Sequence, residues 1–371
     1  MTTPAHFFDL TDEQLETWCL DHGLPRFKAG QIRRWVYERH VTDPQQMTDL
    51  SKADRRLLAE AMVFTRLALV DQQHASDGTR KLLLRTDTGG EVECVMIPAE
   101  SRDSGKPRCT ACISSQVGCP VGCRFCASGL GGLEANLTTG QIVEQVHWLN
   151  AMPDVACGMS EVDRGSPSDI RHCTSHITNI VFMGMGEPLS NFANVVGAVR
   201  ALNAEWGFGI SGRRITISTV GLPAQIERLA DQLNVPITLA ISLHAPNDEL
   251  RRQLIPWAES TSIERIIEAG RHYFDRTGRE VTLEYILLGG VNDRVEHARE
   301  LARVARRLRS NVNLIRYNEV AGLPYQRPDS DDVRAFQRVL RETGVNCHIR
   351  ASRGRDIAAA CGQLRHEAAK A

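Results

Sequence analysis

Residues 109–343 alternate six times between a short apolar run and a longer amphipathic stretch, and few folds accept that pattern. The runs at 109–116, 177–183, 213–219, 236–243, 281–288 and 312–317 read as strands. The stretches at 139–150, 191–204, 222–233, 247–255 with 262–276, 294–308 and 330–343 read as helices. Strands separated by helices predict an α/β fold, with a parallel sheet and helices outside it. Right-handed crossovers curl such a sheet toward a barrel. Counting repeats leaves a partial barrel, a full barrel and an open sheet all available. In a parallel barrel the chemistry gathers at the C-terminal strand ends.

The end of the first run carries three cysteines, Cys119, Cys123 and Cys126, spaced C-x3-C-x2-C with Phe125 before the last. Gly118, Pro120 and Gly122 make this segment a loop. Three thiolates on one loop can hold three corners of a cubane iron–sulfur cluster and leave the fourth iron open to a substrate. A structural zinc is the competing reading. Cys109 and Cys112 form one C-x2-C, and Cys123 and Cys126 form another. Spacing does not choose between them. The large α/β body favours the cluster, since a zinc ribbon does not need it.

The 371 residues suffice for one large and one small domain. Basic and acidic residues nearly cancel, 44 against 45, so any nucleic-acid contact must come from local patches. Aromatics are only 5%, which argues against a stacking platform for single strands. The N-terminus lacks a basic and apolar leader, and no apolar run reaches the roughly 18 residues of a membrane span. Eleven cysteines in such a chain predict a reducing cytoplasmic setting, where clustered Cys signals metal or chemistry.

Residues 9–62 read as short helices, and Arg26–His40 as an amphipathic helix with Ile32, Trp35 and Val36 on one face among basic residues. Lys81–Arg85 and Glu91–Ile97 flank Asp87-Thr-Gly-Gly as a hairpin. Glu93 shares a face with Val95 and Ile97, so it marks either a sheet edge or a functional acid. The strand ends carry polar sets: Gly186 and Glu187, Ser218, Ser242 and His244, and Asn318. Each alone is an ordinary turn or cap residue. The stretch 153–172 reads as a surface insertion, and Cys19, Cys157, Cys173 and Cys347 as incidental. Arg350, Arg353 and Arg355 form a basic patch near Cys361, whose bland reading is a buried Cys at a helix end.

The string CISSQVGCPVGCRFC resembles the radical S-adenosylmethionine (SAM) signature, and in particular the RlmN family of RNA adenine methyltransferases and its relative Cfr. The strings GMGEP, SLHAPND and RGRDIAAACGQL occur in that family's order, and the resemblance runs from Arg26 to Leu364. It implies a partial (βα)6 barrel. The implied division is an RNA-contacting helical domain over 1–78, a linker hairpin over 79–104, the radical SAM core over 105–355 and a C-terminal segment over 356–371.

The resemblance also implies roles. Cys119, Cys123 and Cys126 hold a 4Fe-4S cluster. Gly186, Glu187, Ser218, Ser242, Leu243, His244 and Asn318 contact SAM. Glu93 is the proton acceptor, Cys361 the methyl carrier, and Cys112 the thiol that resolves it through a transient disulfide. Two SAM serve each turnover, and a flavodoxin or ferredoxin supplies electrons. The implied substrates are adenosines of 23S rRNA and tRNA, methylated at C2, by a monomer. A Cfr-like enzyme acting at C8 is the nearest alternative, and a zinc-ribbon RNA-binding protein or a small-molecule radical SAM enzyme are the others. Two departures bear on RNA contacts: Glu134 stands near Asn136 where a basic residue is expected, and the 153–172 insertion is long.

Overall fold

The computed structural model describes residues 4–99, 108–152 and 176–364. The 153–172 stretch and the cysteines Cys157 and Cys173 lie outside the described residues.

The N-terminal block holds β1 (Ala5–His6), α1 (Asp12–Asp21), α2 (Lys28–Arg33), α3 (Lys52–Ala61) and β2 (Met62–Val63). Thr11 and Ser51 open α1 and α3 with reciprocal capping boxes. The stretch 26–40, expected as one helix, changes winding. After α2 the chain makes a π-helical turn over Arg34–Glu38, with Arg39 N–H donating to Arg34 O at 3.2 Å. Ile32, Trp35 and Val36 are buried, as their spacing predicts.

The block is tied to the helix that follows the cysteine loop, α4 (Thr139–Ala151). Asp9 accepts from Gly140 N–H at 2.5 Å, where a carboxylate meets the positive end of the helix. The buried Glu144 carboxylate faces His6 Nε2 at 3.3 Å and accepts from the N–H groups of Arg66 and Leu67 at 2.9 and 3.0 Å.

The hairpin strands are β3 (Leu67–His74), β4 (Arg80–Thr86) and β5 (Glu91–Ala99), followed by β6 (Arg108–Cys112). A short antiparallel pair, β7 (Gln116–Gly118) and β8 (Leu133–Asn136), brackets the cysteine loop. Then come β9 (Asn179–Phe182), α5 (Phe192–Asn203), β10 (Ile215–Thr219), α6 (Pro223–Gln232) and β11 (Thr238–Ser242). Next are α7 (Asp248–Leu254), α8 (Ile263–Thr277), β12 (Val281–Leu287), α9 (Val295–Ala305), β13 (Ser310–Arg316), α10 (Ser330–Glu342) and β14 (Cys347–Arg350).

One ten-stranded sheet runs in the order β14-β13-β12-β11-β10-β9-β6-β5-β4-β3. From β6 to β14 the neighbours are parallel, and from β3 to β6 antiparallel. The six expected βα units are present, and β14 adds a parallel strand that the apolar pattern did not signal. The order has two ends, so the barrel stays open. The first strand, expected to run to 116, leaves the sheet at Cys112. Side chains capture the backbone there: Gln145 Oε1 accepts from Ser114 N–H at 2.8 Å, and Ser114 Oγ donates to Glu93 O at 2.6 Å.

β5 lies between β4 and β6, so Glu93 is not at an edge. Residues alternate across the parallel strands. Along β12, Val281, Leu283, Tyr285 and Leu287 join the main apolar core, while Glu284 and Ile286 border a cavity inside the barrel. No helix among the described residues is long and apolar enough to cross a membrane.

Candidate active site

Three chambers lie near the C-terminal ends of the parallel strands, and the first two share part of their lining. The first, about 150 Å³, is bordered by Cys119, Cys123 and Cys126 on one side and by the ends of β9 to β14 on the other. The cysteine loop is pinned at several points. Cys119 N–H donates to Gly132 O at 2.8 Å, Arg124 N–H to Leu254 O at 3.0 Å, and Ala127 N–H to Gly362 O at 2.8 Å. Gly118 has φ +73°, and a Cβ there would collide with the Gly132 carbonyl oxygen, so this turn requires glycine. Phe125 packs edge-on against His244 at 5.1 Å. With Val121, Val220, Leu254 and Ile286 it forms a second apolar cluster that shields the sulfurs.

All three thiols are pushed up by burial, Cys119 to about 12. Backbone N–H groups oppose burial at two of them: those of Val121 and Gly122 at Cys119, and those of Ser128 and Gly129 at Cys126. Sulfurs that receive N–H donors in an apolar pocket suit an iron–sulfur cluster, whose iron supplies the cation that their anionic form needs. The zinc alternative fails on geometry. Cys112 borders a different chamber, and Cys109 sits on β6 beside Thr178, whose Oγ accepts from its N–H at 3.0 Å.

The expected strand-end residues Gly186, Glu187, Ser218, Ser242 and His244 all border the first chamber. Glu187 is 3% exposed and accepts from Thr219 Oγ1 and Val220 N–H at 2.7 Å and from Leu189 N–H at 3.0 Å. Burial still pushes its carboxyl up to about 7. A buried carboxylate so placed could hold a ligand ammonium group. Gly186, at φ +102°, has no room for a Cβ, which would fall 2.7 Å from Gln116 Cβ. His244 Nδ1 accepts from Ile286 N–H at 3.1 Å, which places the ring proton on Nε2. Burial holds this histidine neutral, lowered to about 3. Ser218 and Ser242 hydroxyls lie 3.3 Å apart. Leu243 is fully buried behind the chamber wall, and Asn318 borders the second chamber, where its Nδ2 donates to Cys361 O at 3.4 Å.

The second chamber, about 80 Å³, contains Cys112, and Cys361 borders both it and the first. Both thiols are free. The Cys361 loop is held by Ser128 Oγ donating to Leu364 O at 2.6 Å and by Gln363 Nε2 donating to Glu319 O at 2.9 Å. The third chamber, about 470 Å³, is bordered by Glu93, Lys81, Ala127, Ala358 and Gln363. Lys81 Nζ lies 2.8 Å from Glu93 Oε1, both side chains being nearly buried. The chamber therefore opens beside the cluster loop on one side and the Cys361 loop on the other.

Related sequences and structures identify the family. Residues 5–64 match the ribosomal RNA large subunit methyltransferase N-terminal domain, and residues 168–302 match the radical SAM superfamily. A probable dual-specificity RNA methyltransferase RlmN of Rhodopirellula baltica is 44% identical over 97% of this chain and 90% of its own length. The dual-specificity RNA methyltransferase RlmN of Halorhodospira halophila is 45% identical, covering 97% of this chain and 93% of that one. The chain belongs to the RlmN family. A crystal structure of a radical SAM methyltransferase from Sphaerobacter thermophilus superposes with a TM-score of 0.87 at 42% identity, over 98% of this chain and 99% of that one. The chain is a radical SAM RNA methyltransferase, and the family implies an iron–sulfur cluster and SAM.

Several polar residues at these chambers escaped the sequence reading. Arg251 is fully buried, and its guanidinium donates to the carbonyls of Val220 at 2.5 Å and Leu243 at 3.3 Å, joining two strand ends behind the cluster loop. Glu284 is 3% exposed in the first chamber, with Oε1 accepting from Asn313 Nδ2 at 3.0 Å. A lone carboxylate inside the apolar run VTLEYIL was the available signal for it. Lys81 had none, because its partner lies on another strand.

Proposed function

We propose that the chain methylates C2 of adenosine in 23S rRNA and in tRNA, with Cys361 as the methyl carrier. The names of its relatives support the RNA class. The observation that carries the reading is the position of Cys361, whose side chain borders both the cluster chamber and the chamber holding Cys112.

Adenine C2 lies between two ring nitrogens and is electron-poor, so it does not attack an electrophilic methyl group as an amine does. Cys119, Cys123 and Cys126 would hold a 4Fe-4S cluster. Gly186, Glu187, Ser218, Ser242, Leu243, His244 and Asn318 would hold SAM, and all of these except Leu243 and Asn318 border the first chamber. When bound, these groups supply an electrophilic methyl group and hydrogen-abstracting radical chemistry from two SAM per turnover, with an electron from a flavodoxin or ferredoxin.

The chain's own residues do the rest. The Cys361 thiolate is the nucleophile that takes the methyl group, and its sulfur keeps the carbon tethered while it joins the adenine. Glu93 accepts the proton that the ring carbon loses. Lys81 Nζ, 2.8 Å from Glu93 Oε1, holds that side chain in place. Cys112 then attacks the Cys361 sulfur and frees the methylated base, leaving a Cys112–Cys361 disulfide that is reduced before the next turnover. The apolar cluster around Phe125 and Ile286 keeps water from the first chamber. The base is unstacked to reach these groups, since C2 faces the minor groove in a helix. The N-terminal block meets the RNA backbone, and the enzyme works as a cytoplasmic monomer.

The test is mass spectrometry of nucleosides after anaerobic incubation of reconstituted enzyme with SAM, reductant and 23S rRNA or tRNA. The proposal requires 2-methyladenosine from both RNAs. Formation of 8-methyladenosine would replace C2 by the Cfr-like reaction, and an intact cluster with no modified adenosine would overturn the RNA assignment.

A further inference from the structure

Two chambers share a wall, and the wall contains one charge. Met183, Ile315, Arg350 and Cys361 border both the cluster chamber and the chamber of Cys112. Arg350 is the charged side chain among these four. We propose that Arg350 is a positioning residue for the sulfur exchange between Cys361 and Cys112. The proposal rests on the reading of Cys361 as methyl carrier.

Arg350 is the last residue of β14 and sits in register with Ile315 on β13. Its Nη1 lies 3.1 Å from Met183 Sδ and 4.0 Å from Glu284 Oε2. Glu284 is itself fixed by Asn313, and its Oε2 is buried without a hydrogen-bond partner, so Arg350 is its nearest compensation. The guanidinium is thus anchored by a sulfur and a carboxylate, and Arg350 borders the chamber that Cys112 and Cys361 also border. The Cys361 sulfur is the strongest influence favouring the charged form of Arg350, and Glu284 and Cys112 act in the same direction against burial. At Cys112, burial pushes the thiol up to about 12 and Cys361 adds to this, while Arg350 pulls it down. The other ionisable side chains bordering the two chambers are Glu187, His244 and the cluster-loop thiols on one side and Arg353 on the other.

The exchange needs such a cation. Cys112 gives up its proton to solvent, and its sulfur lone pair forms a bond to Cys361 Sγ. The bond from Cys361 Sγ to the methylene carbon breaks, and its electron pair passes to that carbon and into the purine. A proton then completes the methyl group. The two sulfurs are oxidised to a disulfide and the methylene is reduced to methyl, so the step balances without another oxidant. Negative charge moves from Cys112 through Cys361 during the step, past a guanidinium that is already in place and needs no reorganisation.

The test uses the cofactor-free full chain, so it does not depend on RNA methylation. Diamide, a two-electron thiol oxidant, drives formation of the Cys112–Cys361 disulfide. Its rate is read by non-reducing peptide mass spectrometry: the tryptic peptide 356–365 contains Cys361 as its single cysteine, and fragmentation assigns its partner as Cys112 among the four cysteines of peptide 109–124. Arg350→Met is expected to slow the exchange about tenfold or more, and Arg350→Lys, which keeps the charge, to recover most of the rate. Thermal melts accompany both variants. Wild-type rates in Arg350→Met would overturn the proposal. So would an Arg350→Lys protein that melts like wild type yet is as slow as the methionine variant. If Arg350→Met does not fold, Glu284→Gln decides: removing the countercharge leaves the guanidinium to the sulfurs and should speed exchange, and a slower exchange would refute the role. An Arg350-dependent exchange in an enzyme that methylates no RNA would leave this inference standing and remove the reading beneath it.

Discussion

Replacing Glu187 by glutamine tests whether the first chamber is built around a buried, ligand-seeking carboxylate. In the wild-type protein without cofactor, burial raises this carboxyl to about 7 from an ordinary value near 4.5, despite its three hydrogen bonds. The folded state therefore holds a proton between these two values that the unfolded chain has lost. Stability from this group is present below about 4.5 and lost as pH rises through 7. The shift corresponds to about 3 kcal/mol. Glutamine is almost isosteric and does not titrate. Like the protonated acid, it leaves one donor facing one of the three donor groups. The difference between the two proteins should thus move by about 3 kcal/mol in favour of glutamine between pH 4.5 and pH 8. Urea unfolding of both cofactor-free proteins at the two pH values measures this, because every other titrating group cancels. A difference that stays constant with pH, or that moves toward the wild type, would refute the reasoning. Binding of S-adenosylhomocysteine should show the opposite preference, since the amide cannot neutralise an ammonium group.

Acid should weaken the junction between the N-terminal block and the barrel. Burial holds His40 and His147 down to about 4, so the unfolded chain takes up protons first and stability falls as pH drops from about 6.5 to 4. His6 opposes this, because Asp9 and Glu144 raise it against burial. His147→Gln should flatten the pH dependence of the urea midpoint by about 3 kcal/mol across that window. Gly186→Ala puts a Cβ against Gln116 at a φ of +102°, and calorimetry should show S-adenosylhomocysteine binding weakened at least about tenfold with the fold retained. Arg251→Met leaves the buried carbonyls of Val220 and Leu243 without their guanidinium donors, and urea unfolding should show a loss of about 3 kcal/mol or more.

The parts of the fold and site visible in the sequence are those encoded locally. Periods of apolar residues gave the six βα units, and the C-x3-C-x2-C spacing gave a loop whose three sulfurs border one chamber. Polar residues at strand ends marked Glu187, Ser218, Ser242 and His244, because parallel strands all finish on one side. What remained hidden depends on distant partners. Glu93 shared a face with valine and isoleucine, and only the pairing of β5 between two neighbours removes the edge reading. Spacing alone made Cys109 and Cys112 equivalent and only the family resemblance separated them, whereas in the fold Cys112 borders the chamber of Cys361 and Cys109 does not. The short strand β14 lacked an apolar run because its last residue, Arg350, carries charge into the barrel, which is also why it matters. The π-helical turn after α2 left no periodic trace over five residues.

The central claim is that Cys361 carries the methyl group to RNA. The most direct measurement is the mass of the tryptic peptide 356–365 after anaerobic incubation with methyl-labelled SAM, followed by the fate of the label once RNA is added. The account predicts that the peptide gains one labelled methyl group on Cys361 and that this label then appears on adenosine, with Cys361→Ala forming neither product. Labelled adenosine made by Cys361→Ala, or by wild type whose Cys361 never becomes methylated, would contradict it.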